Sequence, residues 1–285
     1  MTHFFSNRWS KTILVLTALA AFLVAGCGGG SDKKAAAPAE SGKKLTVAIN
    51  ATFPPFEAVK AGTKDYTGID IEIAQYIGKK MNREVVFTDM KFASLVPTLQ
   101  SKRADMIVSG ISPTKERQEV VSFSKPYYFP MKALVFRKGD NIKTLADLKG
   151  KKAGASMGTT YVAELKKAGG IDVVELDNTP LVVQDIKNKR LDAGLFDSAQ
   201  AAVFVKENPE LDLAVLDLPV VMDDTFAVAL PKDSKDVETV NNILKEMKAN
   251  GELHKIYVKY LGEEATKQYE AQEAKLDLAK WLTAK

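Results

Sequence analysis

The sequence predicts an α/β protein of two lobes, each built on a sheet with mainly parallel strands. Three observations predict it. Short β-rich runs alternate with helix-period patterns along the chain, the order that builds βα units. The segments KRADMIVSG (102–110) and KRLDAGLFD (189–197) share a Lys-Arg-x-Asp-apolar opening, in which a basic pair ends a helix and an apolar strand runs to a polar tip. That echo reads as two related lobes, each sending the carboxyl end of a strand to a shared crevice, where open α/β sheets bind ligands; chance similarity between short α/β units is the alternative. Finally, of the 285 residues, roughly 240 follow a polar N-terminal stretch, enough for two lobes with cores of their own.

Each element has its own justification. Strands are expected at KLTVAIN (44–50), EVVF (84–87), DMIVSG (105–110), ALVF (133–136), DVVEL (172–176), AGLFD (193–197), LAVLDL (213–218) and FAVAL (226–230). Ile73, Ile77 and Met81 recur every four residues, as on one face of a helix. Leu95 and Leu99 do likewise, with Pro97 tolerated only near the first turn. Thr159 or Thr160 caps a helix through Val162 and Leu165 that Gly169-Gly170 stops. Thr179 caps another, with Pro180 in the first helical position.

The N-terminus follows a different plan. Arg8 and Lys11 are the only charged residues before Cys27, the single cysteine, and the apolar run Ile13 to Val24 separates them from it. A membrane-spanning helix needs about 20 apolar residues, so this shorter run reads as the apolar core of a secretory signal peptide covering 1–26. Val24-Ala25-Gly26-Cys27 resembles the bacterial lipobox, which implies cleavage before Cys27 and a lipid (diacylglycerol, palmitate) on its thiol; an ordinary signal peptide with a chance cysteine is the alternative. Residues 27–43 are small, polar and charged, and read as a flexible tether. Removing 1–26 takes the basic and acidic totals from 40 and 36 to 38 and 36, a net charge of about +2. Nothing in that balance suggests nucleic acid. His254 is then the only histidine, which all but excludes catalytic triads and histidine zinc sites; no metal or cofactor is expected.

The block TGIDIEIAQYIGKKM (67–81) resembles the signature of the family 3 bacterial solute-binding proteins, the amino-acid receptors of ATP-binding-cassette importers. FPPFE (53–57), SLVPTLQ (94–100), SGISPTKER (109–117), FSKPYY (123–128), MGTTY (157–161), RLDAGLFD (190–197) and GELHKIYVKYLG (251–262) extend the resemblance in order. It implies a two-lobed, periplasmic-binding-protein-like fold of type II, closing on its ligand like a trap. Carried onto this chain, lobe I is 44–126 plus 227–285, lobe II is 132–222, and the crossings fall at 127–131 and 222–226. A lipid-anchored, extracytoplasmic monomer working with importer permease subunits is implied.

The resemblance also implies a site. An amino acid carries a carboxylate and an ammonium, and both need partners once water is excluded. Arg117 matches the carboxylate-binding arginine, whose planar fork makes two charge-assisted bonds. Ser109 falls in the same block, Ser112 offers a hydroxyl and an amide, and the Gly110 carbonyl accepts from the ammonium. Thr160, with Thr159 before it, heads a helix whose free amides suit a carboxylate. Asp197 matches the acidic partner of the ammonium, and it can equally cap the helix that follows. Phe53 and Phe92 match aromatic positions that flank the ligand's side chain. Asn50, Phe196 and Ser156 line the same pocket in the family; an amide at 50 disfavours a dedicated cation site. The expectation leans to a polar uncharged amino acid, with arginine or histidine open. Asp70 and Glu72 are expected to be structural, as acids at a helix start.

The leading function is therefore binding without catalysis. The alternative is an enzyme like the cyclohexadienyl (prephenate or arogenate) dehydratases, which resemble this family but need an acid near the leaving hydroxyl. The segment 263–282 reads as a charged helix with Trp281 near its tip, packed on lobe I.

Overall fold

The structure, a computed structural model, describes residues 44–274. The expected leader, the tether with Cys27, and Trp281 lie outside the described residues.

The chain opens with β1 (Lys44–Ile49), whose Leu45, Val47, Ala48 and Ile49 are fully buried. Three short antiparallel strands follow, β2 (Thr52–Phe53), β3 (Glu57–Val59) and β4 (Tyr66–Thr67). They bring in α1 (Ile69–Lys80), with Asp70 and Glu72 in its first turn and Lys79 and Lys80 in its last, matching the helix dipole. Gly68 caps this helix at φ +134°, where an added Cβ would overlap the Phe56 carbonyl, so only glycine fits. Next come β5 (Glu84–Asp89), α2 (Leu95–Gln100), β6 (Met106–Ile107), α3 (Lys115–Val120) and β7 (Val121–Tyr128). The middle of the chain holds β8 (Lys132–Arg137), β9 (Lys152–Ser156), α4 (Thr160–Ala168), β10 (Asp172–Leu176), α5 (Thr179–Lys187), β11 (Ala193–Asp197), α6 (Ser198–Glu207) and β12 (Leu211–Val215). The last part holds β13 (Phe226–Pro231), α7 (Asp236–Ala249), α8 (Glu252–Leu261) and α9 (Glu263–Glu273).

Two five-stranded sheets result, in the orders β5-β1-β6-β13-β7 and β10-β9-β11-β8-β12. In each, the first three strands are parallel and the last two join antiparallel. The expectation of mainly parallel sheets is thus corrected to mixed sheets, because the chain crosses from one sheet to the other and returns. It leaves through 129–131 and comes back through 216–225. Helices cover both faces of each sheet. Leu45, Val47 and Ile49 of β1 pack with α1, α7 and α8, while Ala48 turns to Leu95 and Leu99 of α2. In the second sheet Leu134, Ala153 and Leu195 pack with α4, and Ala133, Val135 and Phe196 with α5 and α6.

Several expectations shift. β7 and β9 were not expected, because VSFSKPYY carries an interior proline and KAGAS is small and weakly apolar. β12 begins and ends before the expected 213–218, since Leu211 is buried while Asp217 to Pro219 leave the sheet. Asn178, rather than Thr179, caps α5 by accepting from the Leu181 amide at 3.0 Å. α9 packs on the first sheet's core as expected: Tyr269 is buried and stacks on Tyr128 at 4.6 Å.

Candidate functional site

The segments that follow β1 and β6 meet the carboxyl end of β9 and the start of α4, and a small cavity of about 30 Å³ lies between the two sheets. From the first sheet's side it is lined by Asn50, Phe53, Phe92, Gly110, Ser112 and Arg117, with Phe226 behind Phe53. From the second it is lined by Ser156, Thr159, Thr160, Tyr161 and Thr179. Nine of the residues named from the sequence thus share one cavity. Tyr161, Thr179 and Phe226 are additions: they stood in MGTTY, at a helix cap and at the start of FAVAL, and none of them was named as lining a site.

Arg117 reaches the cavity because Thr114 caps α3 and starts it, taking the Arg117 amide on its hydroxyl at 3.3 Å. The guanidinium donates to the carbonyls of Ser112 and Gly158, each at 2.8 Å, and lies 5.4 Å above the Phe92 ring. Gly158 belongs to the other lobe, so one arginine ties both sides and keeps further N–H donors for the cavity. Burial pushes its pKa down to about 10, which leaves it charged at neutral pH.

Gly110 has φ +51°, and a Cβ there would overlap the Phe53 ring; glycine lets ring and backbone close together. Ser109 points away from the cavity, donating to buried Glu57 and accepting the Asn50 amide at 3.0 Å. The Asn50 side chain is committed, its NH₂ to the Met90 carbonyl at 2.7 Å and its oxygen to the Thr52 hydroxyl at 2.7 Å.

Across the cavity, α4 starts at Thr160. The Thr159 hydroxyl donates to the Ser156 carbonyl at 2.7 Å, which leaves the first amides of the helix without a capping side chain. Asp197 is completely buried at the end of β11 and does not line the cavity. Its Oδ1 caps α6, accepting from Ala199 N at 2.8 Å and Gln200 N at 3.2 Å. Its Oδ2 has no partner among the described residues, and the same holds for Ser156 Oγ and Tyr161 Oη beside it. Burial pushes the Asp197 carboxyl up to about 7, against the pull of its backbone donors. Burial first, and the charge of Asp197 second, raise the phenol of the lining residue Tyr161. The cavity offers a cation and helix amides to an anion, while the buried carboxyl of Asp197 stands outside its lining. His254 sits elsewhere, on α8, paired with Glu270 at 2.8 Å.

The family model of the bacterial extracellular solute-binding proteins, family 3, matches residues 45–263. The arginine-binding extracellular protein ArtP of Bacillus subtilis (strain 168) is 34% identical over 89% of this chain and 98% of its own. A probable histidine-binding protein of Neisseria gonorrhoeae is 31% identical over 90% of this chain and 97% of its own. The solved structure of an ancestral arginine-binding protein bound to glutamine is 37% identical, with a TM-score of 0.73, over 77% of this chain and 98% of that one.

Proposed function

We propose the following function for this chain, which belongs to the bacterial extracellular solute-binding proteins, family 3: it captures one amino acid between its two lobes and delivers it to an ATP-binding-cassette importer. The family and the relatives are substrate-binding transport proteins, so the chain is a binding protein and not an enzyme. The observation that supports the reading is Arg117 lining the cavity from one lobe; Asp197, buried in the other lobe with its Oδ2 partnerless among the described residues, is the acid the ammonium reaches once local side chains give way. Arg117, the Ser112 hydroxyl and the α4 amides take the carboxylate; the Gly110 carbonyl and Asp197 take the ammonium. Phe53 and Phe92 flank the side chain, which points towards Asn50 and Thr179. No lining residue is acidic, which favours a polar uncharged side chain. Arginine and histidine, named for the relatives, and glutamine head the list to be screened. Lobe I is 44–126 plus 227–285 and lobe II is 132–222.

Truncating one member of a desolvated charge pair costs roughly 2–5 kcal/mol, about 30- to 4,000-fold in affinity at about 1.4 kcal/mol per tenfold. Arg117→Ala and Asp197→Ala lose binding on that scale in calorimetry against the twenty amino acids. Arg117→Ala also loses the preference for a free carboxylate over an amide, and Asp197→Ala the preference for a free over an acetylated amine. Wild-type affinity in either folded variant refutes the assignment.

The same reading places the protein outside the cytoplasm as a lipid-anchored monomer, supported by the lipobox-like Val24-Ala25-Gly26-Cys27. Acyl chains bind a bilayer at about 0.8 kcal/mol per buried methylene, and two chains suffice for stable anchoring. Cys27→Ala releases the protein from the membrane or leaves the precursor uncleaved. An unchanged mature mass together with unchanged membrane fractionation excludes the anchor.

A further inference from the structure

Beneath the Ser109–Gly110 turn lie two completely buried carboxyl groups, Glu57 of β3 and Asp70 of α1. Asp70 has both oxygens supplied with donors: Oδ2 accepts the Gly110 amide at 2.6 Å, and Oδ1 accepts the Tyr127 hydroxyl at 2.9 Å. Glu57 takes the Ser109 hydroxyl on one oxygen, and the Asn50 amide, already given to Ser109, adds only a weaker pull on the carboxyl. That hydroxyl is available because Ser109 already accepts the Asn50 amide, so its single hydrogen points to Glu57. Glu57 Oε2 has no donor among the described residues.

Two carboxylates cannot both stay ionised in one dry pocket. The donor count decides which keeps its charge. An ionised carboxylate needs donors, and Asp70 has two; a protonated acid supplies one, and Glu57 Oε2 is the atom with room for a proton. We propose that Glu57 and Asp70 are positioning residues of the ligand site: they share a single proton, held on Glu57, and in that state fix the Ser109–Gly110 turn that faces the cavity. The functional consequence rests on the amino-acid reading of the cavity; the proton and the turn do not. Burial first, and the charge of Asp70 second, drive Glu57 well above the ordinary carboxyl range. Asp70 is also raised by burial, but its donors hold it back. Tyr127, from β7, is the other titratable group facing the pair, and burial and the two carboxyls raise its phenol as well.

The two acids then respond oppositely to amide substitution. In Glu57→Gln the new carbonyl accepts from Ser109 and the NH₂ donates to Asp70, reproducing the protonated acid. In Asp70→Asn the Gly110 amide loses its charged acceptor, and the NH₂ must face either that amide, a donor, or the Tyr127 oxygen, whose own hydrogen must then turn away. Infrared difference spectroscopy on the full chain is expected to show a protonated carboxylic acid at neutral pH that disappears in Glu57→Gln. Exchange of the Gly110 amide, followed by NMR, stays near the wild-type rate in Glu57→Gln and rises about tenfold or more in Asp70→Asn, as loss of a hydrogen bond to a charged group requires. Absence of the acid band from wild type, or equally fast exchange in both variants, overturns the proposal. Affinities for the twenty amino acids measured alongside separate the two readings. A wild type that binds none of them refutes the function, while the infrared and exchange results still decide the carboxyl pair.

Discussion

On the proposed assignment of the ammonium to Asp197, this residue carries the pH dependence of binding. Its carboxyl is fully buried, and burial raises its pKa from 3.8 to about 7. Between those two values the folded protein holds a proton that the unfolded chain does not, so the unliganded fold loses stability as pH rises through that window. Binding runs the other way, because an ammonium partner requires the carboxylate. Below about pH 7 the proton must leave Asp197 before the amino acid binds, and affinity is expected to fall about tenfold per pH unit. Titration calorimetry from pH 5 to 8 checks this, with Asp197→Asn expected to be weaker and flat across the range. A wild-type affinity that stays constant between pH 5 and 7 removes Asp197 from the ammonium site. Residue chemistry at this position was legible in part: AGLFD showed a strand tip followed by a helix start, and both readings of the aspartate stood open. The cap is now seen directly, on one oxygen only. Glu57 was quoted inside FPPFE without a role, because nothing local distinguishes a buried glutamate from an exposed one. Its hydrogen-bond partner Ser109 is 52 positions away in the chain, a contact no local pattern reveals.

At the scale of elements, the echo between 102–110 and 189–197 was the most informative feature of the sequence. β6 and β11 occupy the same place in their sheets, third in order and next to the antiparallel pair. The match extends to detail. Lys102 and Lys189 both take φ +58° where their helices end. Asp105 accepts the Thr46 amide at 2.8 Å, and Asp192 accepts the Lys152 amide at 2.9 Å, each joining the turn to the neighbouring parallel strand. An arginine meets each aspartate, Arg83 in one sheet and Arg137 in the other. The repeated Lys-Arg-x-Asp therefore records one helix-to-strand corner built twice. Periodicity found the helices because each buries a stripe at helical spacing, as Ile69, Ile73 and Ile77 do in α1. It missed β7 because of its interior Pro126, and β9 because KAGAS is too small and weakly apolar to show a pattern. It could not see Lys132 either. That buried lysine at the start of β8 meets Glu164 of α4 and Asp224 of the returning segment, both at 2.9 Å. Charges so placed are held by their mutual pairing, and removing one partner of such a group is costly.

The whole molecule is held together across the cavity by contacts that do not involve the proposed ligand groups alone. The Thr179 hydroxyl donates to the Thr52 carbonyl at 2.6 Å, Gln200 reaches the same carbonyl at 3.4 Å, and Lys91 meets Asp177 at 2.7 Å. Arg117 adds its bond to Gly158. An exposed pair such as Lys91–Asp177 contributes little, whereas a hydrogen bond in a dry site contributes about 1 kcal/mol. Closure by these contacts alone is thus modest, and under the proposed function a bound zwitterion supplies the rest by joining Arg117 on one side to Asp197 on the other. The protein is accordingly expected to be more open without an amino acid than with one. Solution scattering should show the radius of gyration shrink on saturation with the tightest binder of the twenty. At 100 times its dissociation constant that amino acid adds about 2.7 kcal/mol of stability, visible as a raised melting temperature. Thr179→Val removes one closing bond from a cavity-lining residue without touching either charge, and about 1 kcal/mol corresponds to roughly a fivefold loss of affinity. The scattering change persists in Thr179→Val at saturation and is absent in Arg117→Ala at the same concentration. Tight binding with an unchanged radius of gyration in wild type would show that the lobes are fixed, and that capture does not proceed by closure.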